Sequence, residues 1–181
     1  MRPNRGIDYV IKALPKIIKA FPDVIYLILG TDPADSPKPN PFRKKLEEMV
    51  SSLNLEKYVK FDNRYIPMEE LIDYIQASDI FITPYLPPEQ SSSGSLAYAL
   101  VAGKVCVSTP YSYAKTLLGE NRGKLVPWEN SEAIANTIIE LFSNPKEMET
   151  ISRNAYNYGR QMTWKNVGQK YIQLFSDILN I

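Results

Sequence analysis

The chain has 181 residues, 44% hydrophobic and 23% charged, enough for one sizeable apolar core, and its net charge of +1 gives no electrostatic reason to bind nucleic acid or an anionic membrane. It contains no histidine, which excludes the commonest general base, the commonest metal ligand and every Ser-His or Cys-His nucleophile. Any chemistry must therefore run on carboxylates, hydroxyls, cations or backbone groups.

From Ile7, apolar residues at Val10, Ile11, Leu14, Ile18 and Phe21 fall at helix spacing, and Pro15 is expected to bend that helix. Residues 24–29 read as a buried strand ending at Gly30. Residues 31–41 hold four prolines and read as a loop, and residues 42–53 as a charged helix. Residues 59–61 form a short strand. Met68–Ala77 is a helix facing inward through Leu71, Ile72 and Ile75, and Ile80–Thr83 is a strand stopped by Pro84. A small-residue helix follows over residues 93–102. The strand Val105–Ser108 contains the single cysteine, Cys106, which reads as a buried strand residue rather than a reactive thiol. A short helix over residues 114–118 and a strand over 124–126 come next. Three helices close the chain, starting near Asn130-Ser131, at Asn144-Pro145 with Glu147 as the N3 acid, and near Thr163-Trp164. The last carries Val167, Tyr171, Leu174, Phe175 and Ile178 on one face, and Trp164 is expected in the core.

Alternating strands and helices predict an α/β fold, a Rossmann-like parallel sheet flanked by helices, with residues 1–181 as a single domain. A doubly wound domain normally opens with a strand. This chain opens with a loop and a helix, so the first strand is missing from the pattern. In such sheets ligands sit at the carboxyl ends of the strands, here the segments after Gly30, Phe61, Pro84 and Ser108. No apolar run approaches the ~20 residues that span a bilayer, and residues 1–6 lack the apolar stretch of a signal peptide. One cysteine allows no internal disulfide, and a cytoplasmic location is expected.

The most informative stretch runs from Pro84 to Lys104. A strand ends, a polar loop follows, and a helix opens at Ser93-Gly94-Ser95. Free N–H groups and the dipole at a helix start suit a phosphate, and Gly94 permits close backbone approach. A plain N-cap explains the same serines.

The order of segments is more specific. Pro3-Asn4-Arg5-Gly6-Ile7, Tyr26-Leu27-Ile28-Leu29-Gly30, Val59-Lys60-Phe61 through Tyr65-Ile66-Pro67, Ala77-Ser78-Asp79-Ile80-Phe81-Ile82-Thr83-Pro84, Ala99-Leu100-Val101-Ala102-Gly103-Lys104-Val105 and Gly119 through Pro127 occur in sequence. Together they resemble the C-terminal, nucleotide-sugar-binding domain of the retaining GT-B glycosyltransferases called family 4 or glycosyl transferases group 1. The resemblance implies a hexosyltransferase that takes a nucleotide-diphosphate sugar and uses no metal or other cofactor. It implies that the donor diphosphate meets Ser93, Gly94 and Ser95, together with Arg5 at the family's lysine position. It places the base near Tyr65 and Ile66. Without the resemblance, Arg5 is an exposed loop cation, and Tyr65 and Ile66 are ordinary loop packing.

Two family glutamates, one touching the donor sugar and one the ribose, correspond to Gln90 and Tyr98. Gln90 still hydrogen-bonds hydroxyls but carries no charge, and Tyr98 offers a single hydroxyl. Glu89 is one residue out of register, and a further family acid falls near Lys115. Gln90 through Ala99 resembles a subgroup pattern, Gln-x-x-Ser-Gly-x-Leu-Ala-Tyr-Ala, so both replacements read as a subgroup trait. Gln90 and Arg5 are the candidate catalytic residues; Ser93, Gly94, Ser95, Tyr98, Tyr65 and Ile66 are the candidate donor contacts.

The family also uses an N-terminal acceptor domain, a first strand and a phosphate-binding arginine that would precede Met1. The expectation is a donor-binding half that is inactive alone and partners an N-terminal GT-B domain in the same or a separate chain. Alternatives are a non-catalytic sugar-nucleotide-binding or partner module, and a fragment of a nucleotide-sugar epimerase of the same fold. There is no Gly-x-Gly-x-x-Gly and no P-loop motif, and no cysteine or histidine cluster for zinc.

Overall fold

A computed structural model describes residues 2–32 and 40–179. Most of the proline-rich loop expected over 31–41 lies outside the described residues. The elements in order are a 3₁₀ turn Pro3–Arg5, α1 Ile7–Ala20, β1 Tyr26–Leu29, α2 Pro41–Ser52, β2 Val59–Asp62, α3 Met68–Ala77, β3 Ile80–Thr83, α4 Gly94–Val101, β4 Val105–Ser108, α5 Ser112–Leu118, β5 Lys124–Leu125, α6 Ser131–Ser143, α7 Pro145–Arg160 and α8 Trp164–Leu179.

Local sequence accounts for most boundaries. Pro15 lies inside α1 without ending it. Val10, Ile11, Ala13, Leu14 and Ile17 are buried along that helix, and tertiary packing of such a face outweighs one missing ladder bond. Asn40, Asn130 and Asn144 cap α2, α6 and α7 through side-chain oxygens that accept from first-turn N–H groups.

Every strand pair is parallel. β1 pairs with β2, and β3-β4-β5 form a second group. The sequence predicts one sheet, and among the described residues there are two. The physical reason is lateral order: no strand stands between β1 and β3 to carry the ladder across. Along β4, Val105 and Val107 belong to one apolar cluster with α1 and α6, whereas Cys106 belongs to another with α4 and α5. Successive side chains of one strand thus face opposite helix layers, as in a doubly wound fold.

Cys106 is fully buried, and burial pushes its thiol up to about 12. Thiol reagents are therefore expected to leave the native chain unmodified at neutral pH and to label it fully in denaturant. Rapid labelling of native protein would mean that β4 is exposed.

At the end of the chain, α8 contains no buried residue, and Trp164 is 90% exposed rather than in the core. Trp164 is the first residue of a helix that contributes to neither apolar cluster, which explains the difference. Tyr171, Phe175 and Ile178 are exposed on the same helix.

Candidate functional site

The carboxyl end of β3 is where the chemistry-bearing residues gather. Gly6 adopts a left-handed backbone conformation (φ 65°) and donates its N–H to Pro3 O, closing the turn that presents Arg5. That turn is bound to the segment after β3, because Leu86 N–H donates to Asn4 O at 3.0 Å. A Cβ built on Gly6 would lie 1.9 Å from Pro84 O, so the two backbones meet at a distance only glycine allows.

Arg5 is not a loose cation. Its guanidinium carbon lies 4.3 Å from the centre of the Tyr85 ring. Tyr85 in turn stacks on Tyr111, with centroids 5.3 Å apart and an interplanar angle of 18°. Tyr111 is fully buried, and its hydroxyl lies 3.2 Å from Thr83 Oγ1. Burial raises the Tyr111 phenol above its ordinary value, opposed by hydrogen bonds with Thr83, Ser93 and Ser108. One continuous stack thus runs from Arg5 through two aromatic rings and ends with the Tyr111 hydroxyl on Thr83, at the carboxyl end of β3.

Ser93 is the N-cap of α4. Its backbone is extended, and its Oγ accepts from Leu96 N–H at 3.3 Å. The plain capping explanation therefore holds for the Ser93 hydroxyl, which is engaged within the helix. The N–H groups of Gly94 and Ser95 are the first-turn donors with no acceptor inside the helix. Gly94 is exposed, and a Cβ added there would meet only the Tyr98 ring, at 3.9 Å. Tyr98 stands one turn further on and is 41% exposed.

Gln90 is half-buried on the loop between β3 and α4, with its side-chain amide donating to Ser92 O at 2.9 Å. The loop is fastened to α5, where Ser112 N–H donates to Pro88 O and Tyr113 N–H to Gln90 O. Glu89 and Lys115 are exposed. Tyr65 and Ile66 lie on the loop after β2, beside the two-stranded sheet. Tyr65 is 78% exposed and Ile66 half-buried. Their neighbour Arg64 is fixed by Asp62, Glu70 and Tyr74, and the hydrogen bonds it donates hold the Glu70 carboxyl below the ordinary value.

The structure thus joins Arg5, Gln90, Ser93, Gly94, Ser95 and Tyr98 around one strand end and one helix start, and leaves Tyr65 and Ile66 on a separate loop. The sequence reading missed Tyr85 and Tyr111 as the link. The available signal was an aromatic immediately after Pro84, where the strand meets its carboxyl-end loop. Among the described residues no three His, Cys, Asp or Glu side chains cluster to hold a metal ion, and no helix is long and apolar enough to cross a membrane.

The family model for glycosyl transferases group 1 matches residues 1–158. The chain is 24% identical to a GDP-mannose-dependent alpha-(1-6)-phosphatidylinositol monomannoside mannosyltransferase of Mycolicibacterium smegmatis, over 96% of this chain and 45% of that protein. It is 26% identical to an uncharacterized glycosyltransferase of Methanocaldococcus jannaschii, over 97% of this chain and 43% of that one. The chain therefore spans less than half the length of these relatives. Among solved structures, the C-terminal domain of a group 1 glycosyl transferase from Francisella tularensis superposes with a TM-score of 0.76 at 22% identity, covering 87% of this chain and 78% of that one. HepE of Anabaena, solved in complex with UDP, superposes with a TM-score of 0.82 at 22% identity, covering 97% of this chain and 46% of that one. These superpositions identify the fold as that of GT-B C-terminal domains. With its architecture and the family match over most of its length, the chain belongs to the glycosyl transferases group 1 family.

Proposed function

We propose that residues 1–181 form the donor-binding half of a retaining, metal-independent glycosyltransferase that acts only with a complementary acceptor-binding half. The observation that carries this reading is the stack that fixes Arg5 over Tyr85 and Tyr111 at the carboxyl end of β3, the strand whose loop leads into α4. It fixes a cation at the carboxyl end of a parallel strand, and the loop after that strand leads to helix-start N–H groups, an arrangement suited to a diphosphate. The relative named for GDP-mannose and the neighbour solved with UDP support a nucleotide-sugar donor.

In this reading the donor diphosphate accepts hydrogen bonds from Gly94 and Ser95 N–H and from the Arg5 guanidinium. As the glycosidic bond to the sugar breaks, negative charge builds on the departing nucleoside diphosphate. Fixed donors aimed at that charge stabilise it without rearranging. Gln90 hydrogen-bonds the sugar hydroxyls, Tyr98 the ribose, and Tyr65 and Ile66 flank the base. The acceptor hydroxyl forms the new bond to the anomeric carbon, and its proton passes to the departing diphosphate, so this reading asks for no base from the chain. The apolar face of α8 is the surface that meets the other half.

Calorimetric titration of UDP and GDP into the purified chain tests the reading. One nucleotide is expected to bind, and Arg5→Ala is expected to weaken it about tenfold to a hundredfold, since a charge-assisted hydrogen bond contributes about 1.5–3 kcal/mol. Gly94→Val is expected to weaken it comparably with an unchanged circular dichroism spectrum, because the added atoms face open space beside Tyr98. Absence of binding to both nucleotides, or unaltered affinity in both variants, would overturn the proposal.

A further inference from the structure

The loop between β3 and α4 carries prolines at 84, 87 and 88, which have no N–H to give. It is poor in donors of its own, and its carbonyls need partners from elsewhere. The parallel pairing of β3 with β4 stops at Thr83 and Ser108, just before Pro84. Beyond that point the connection between β4 and α5 takes over. Thr109 follows β4, is buried, and donates its hydroxyl to Tyr85 O. Ser112 N–H donates to Pro88 O at 3.0 Å, and Tyr113 N–H to Gln90 O at 3.2 Å. The Ser112 hydroxyl also donates to Pro88 O, at 3.2 Å.

Ser112 and Tyr113 are the first two residues of α5. First-turn N–H groups find no acceptor inside their own helix, so this helix start and the loop satisfy each other. On its other side the loop is tied to the turn Pro3–Arg5 through Leu86 N–H and Asn4 O. The ties divide the loop in two. Thr109 acts on Tyr85, which carries Arg5, whereas the start of α5 acts on the segment from Pro88 to Gln90.

We infer that the start of α5 is a clamp that sets Gln90 for the donor sugar, with Ser112 as a positioning residue acting through the Pro88 carbonyl. Gln90 carries no charge, so its contribution to a sugar lies in neutral hydrogen bonds, which weaken steeply when their direction is lost. Holding the backbone on both sides of Glu89 fixes where the Gln90 side chain begins. The Ser112 and Tyr113 N–H groups are taken up by the loop and serve the donor only through it. The inference rests on the donor-site reading for what Gln90 holds.

Ser112→Pro is the decisive variant. Proline suits the first position of a helix, and Tyr111 before it already has the extended backbone (φ −66°, ψ 158°) that a residue preceding proline takes up. The substitution removes both donors to Pro88 O and leaves α5 able to form. Ser112→Ala keeps the N–H and is the matched control. Each chain is titrated with UDP, UDP-glucose, GDP and GDP-mannose, and exchange of the Tyr113 amide is followed. The wild-type chain is expected to bind one conjugate more tightly than its free nucleotide. Ser112→Pro is expected to reduce that preference about threefold to tenfold, the share of one neutral hydrogen bond, with affinity for the free nucleotide unchanged. Its Tyr113 amide is expected to exchange about fivefold faster or more, as the loop carbonyl moves away. Ser112→Ala is expected to match the wild-type chain in both readouts.

A merely structural role for Ser112 would lower the unfolding midpoint of Ser112→Pro without changing the preference for the conjugate, and that outcome overturns the inference. Unchanged Tyr113 exchange overturns it too, as does a wild-type chain that binds conjugate and free nucleotide equally; both leave the donor diphosphate site standing. Absence of wild-type binding to all four compounds overturns the donor-site reading and this inference with it.

Discussion

Gly6→Ala is expected to destabilise the chain by about 2–4 kcal/mol and to abolish nucleotide binding. Two costs add. An alanine held at φ 65° loses about 1 kcal/mol relative to glycine. The larger cost is steric: the added carbon would sit 1.9 Å from Pro84 O, so the turn must separate from the segment after β3, at the about 1–3 kcal/mol typical of overpacking. That movement breaks the bond from Leu86 N–H to Asn4 O and lifts Arg5 off Tyr85. Gly30→Ala is the matched control. Gly30 also has a positive φ, 116°, but nothing lies within 4 Å of its added carbon, so only the conformational cost applies. Urea unfolding with UDP or GDP titration on both variants separates the two. Equal destabilisation in both would show that the close approach at Pro84 is unimportant.

The second large effect is expected at Arg122, which is 6% exposed. Its Nε donates to Leu117 O at 2.8 Å and its Nη2 to Thr116 O at 2.9 Å, so it caps the last carbonyls of α5. Its guanidinium carbon lies 4.0 Å from the centre of the Tyr158 ring, which ties α5 to α7. The ion pair with Glu120 adds little, since that carboxylate side chain is 86% exposed. Arg122→Ala strands two carbonyls, at about 1–2 kcal/mol each, and removes the ring contact, for a total of about 3–5 kcal/mol. Arg122→Lys is expected to recover less than half, because an ammonium cannot reproduce the planar fork. Denaturant midpoints at constant slope measure both. A loss under 1 kcal/mol for Arg122→Ala would mean that water replaces the guanidinium.

Much of this was legible in the residues, for reasons that differ by element. The strands at Ile80–Thr83 and Val105–Ser108 announce themselves as short apolar runs stopped by proline or polar residues, and the caps at Asn130 and Asn144 are local chemistry. Lateral order is not local. Periodicity shows that strands exist but not which edges meet, so the division of the strands into β1-β2 and β3-β4-β5 was not legible. Trp164 misled because an aromatic on an amphipathic stripe looks the same whether or not another surface covers it. At the candidate site, Ser93 and Gly94 stand out as the start of a helix after a strand, and Arg5 is pointed to only by the family resemblance. The Tyr85–Tyr111 link was not legible, since stacking between residues 26 positions apart leaves no trace in spacing. Arg122 was read only as part of a glycine-rich motif, because nothing in composition distinguishes a buried arginine from an exposed one.

The uncovered helix α8 has a consequence for how the chain holds together. An isolated helix of 16 residues is marginal in water, and this one buries no residue against the rest of the molecule. Its folded population is therefore set by mass action with whatever surface it meets, rather than by the body it is attached to. Opening of α8 is therefore expected to precede global unfolding, with hydrogen exchange along α8 faster than in the buried strand β4.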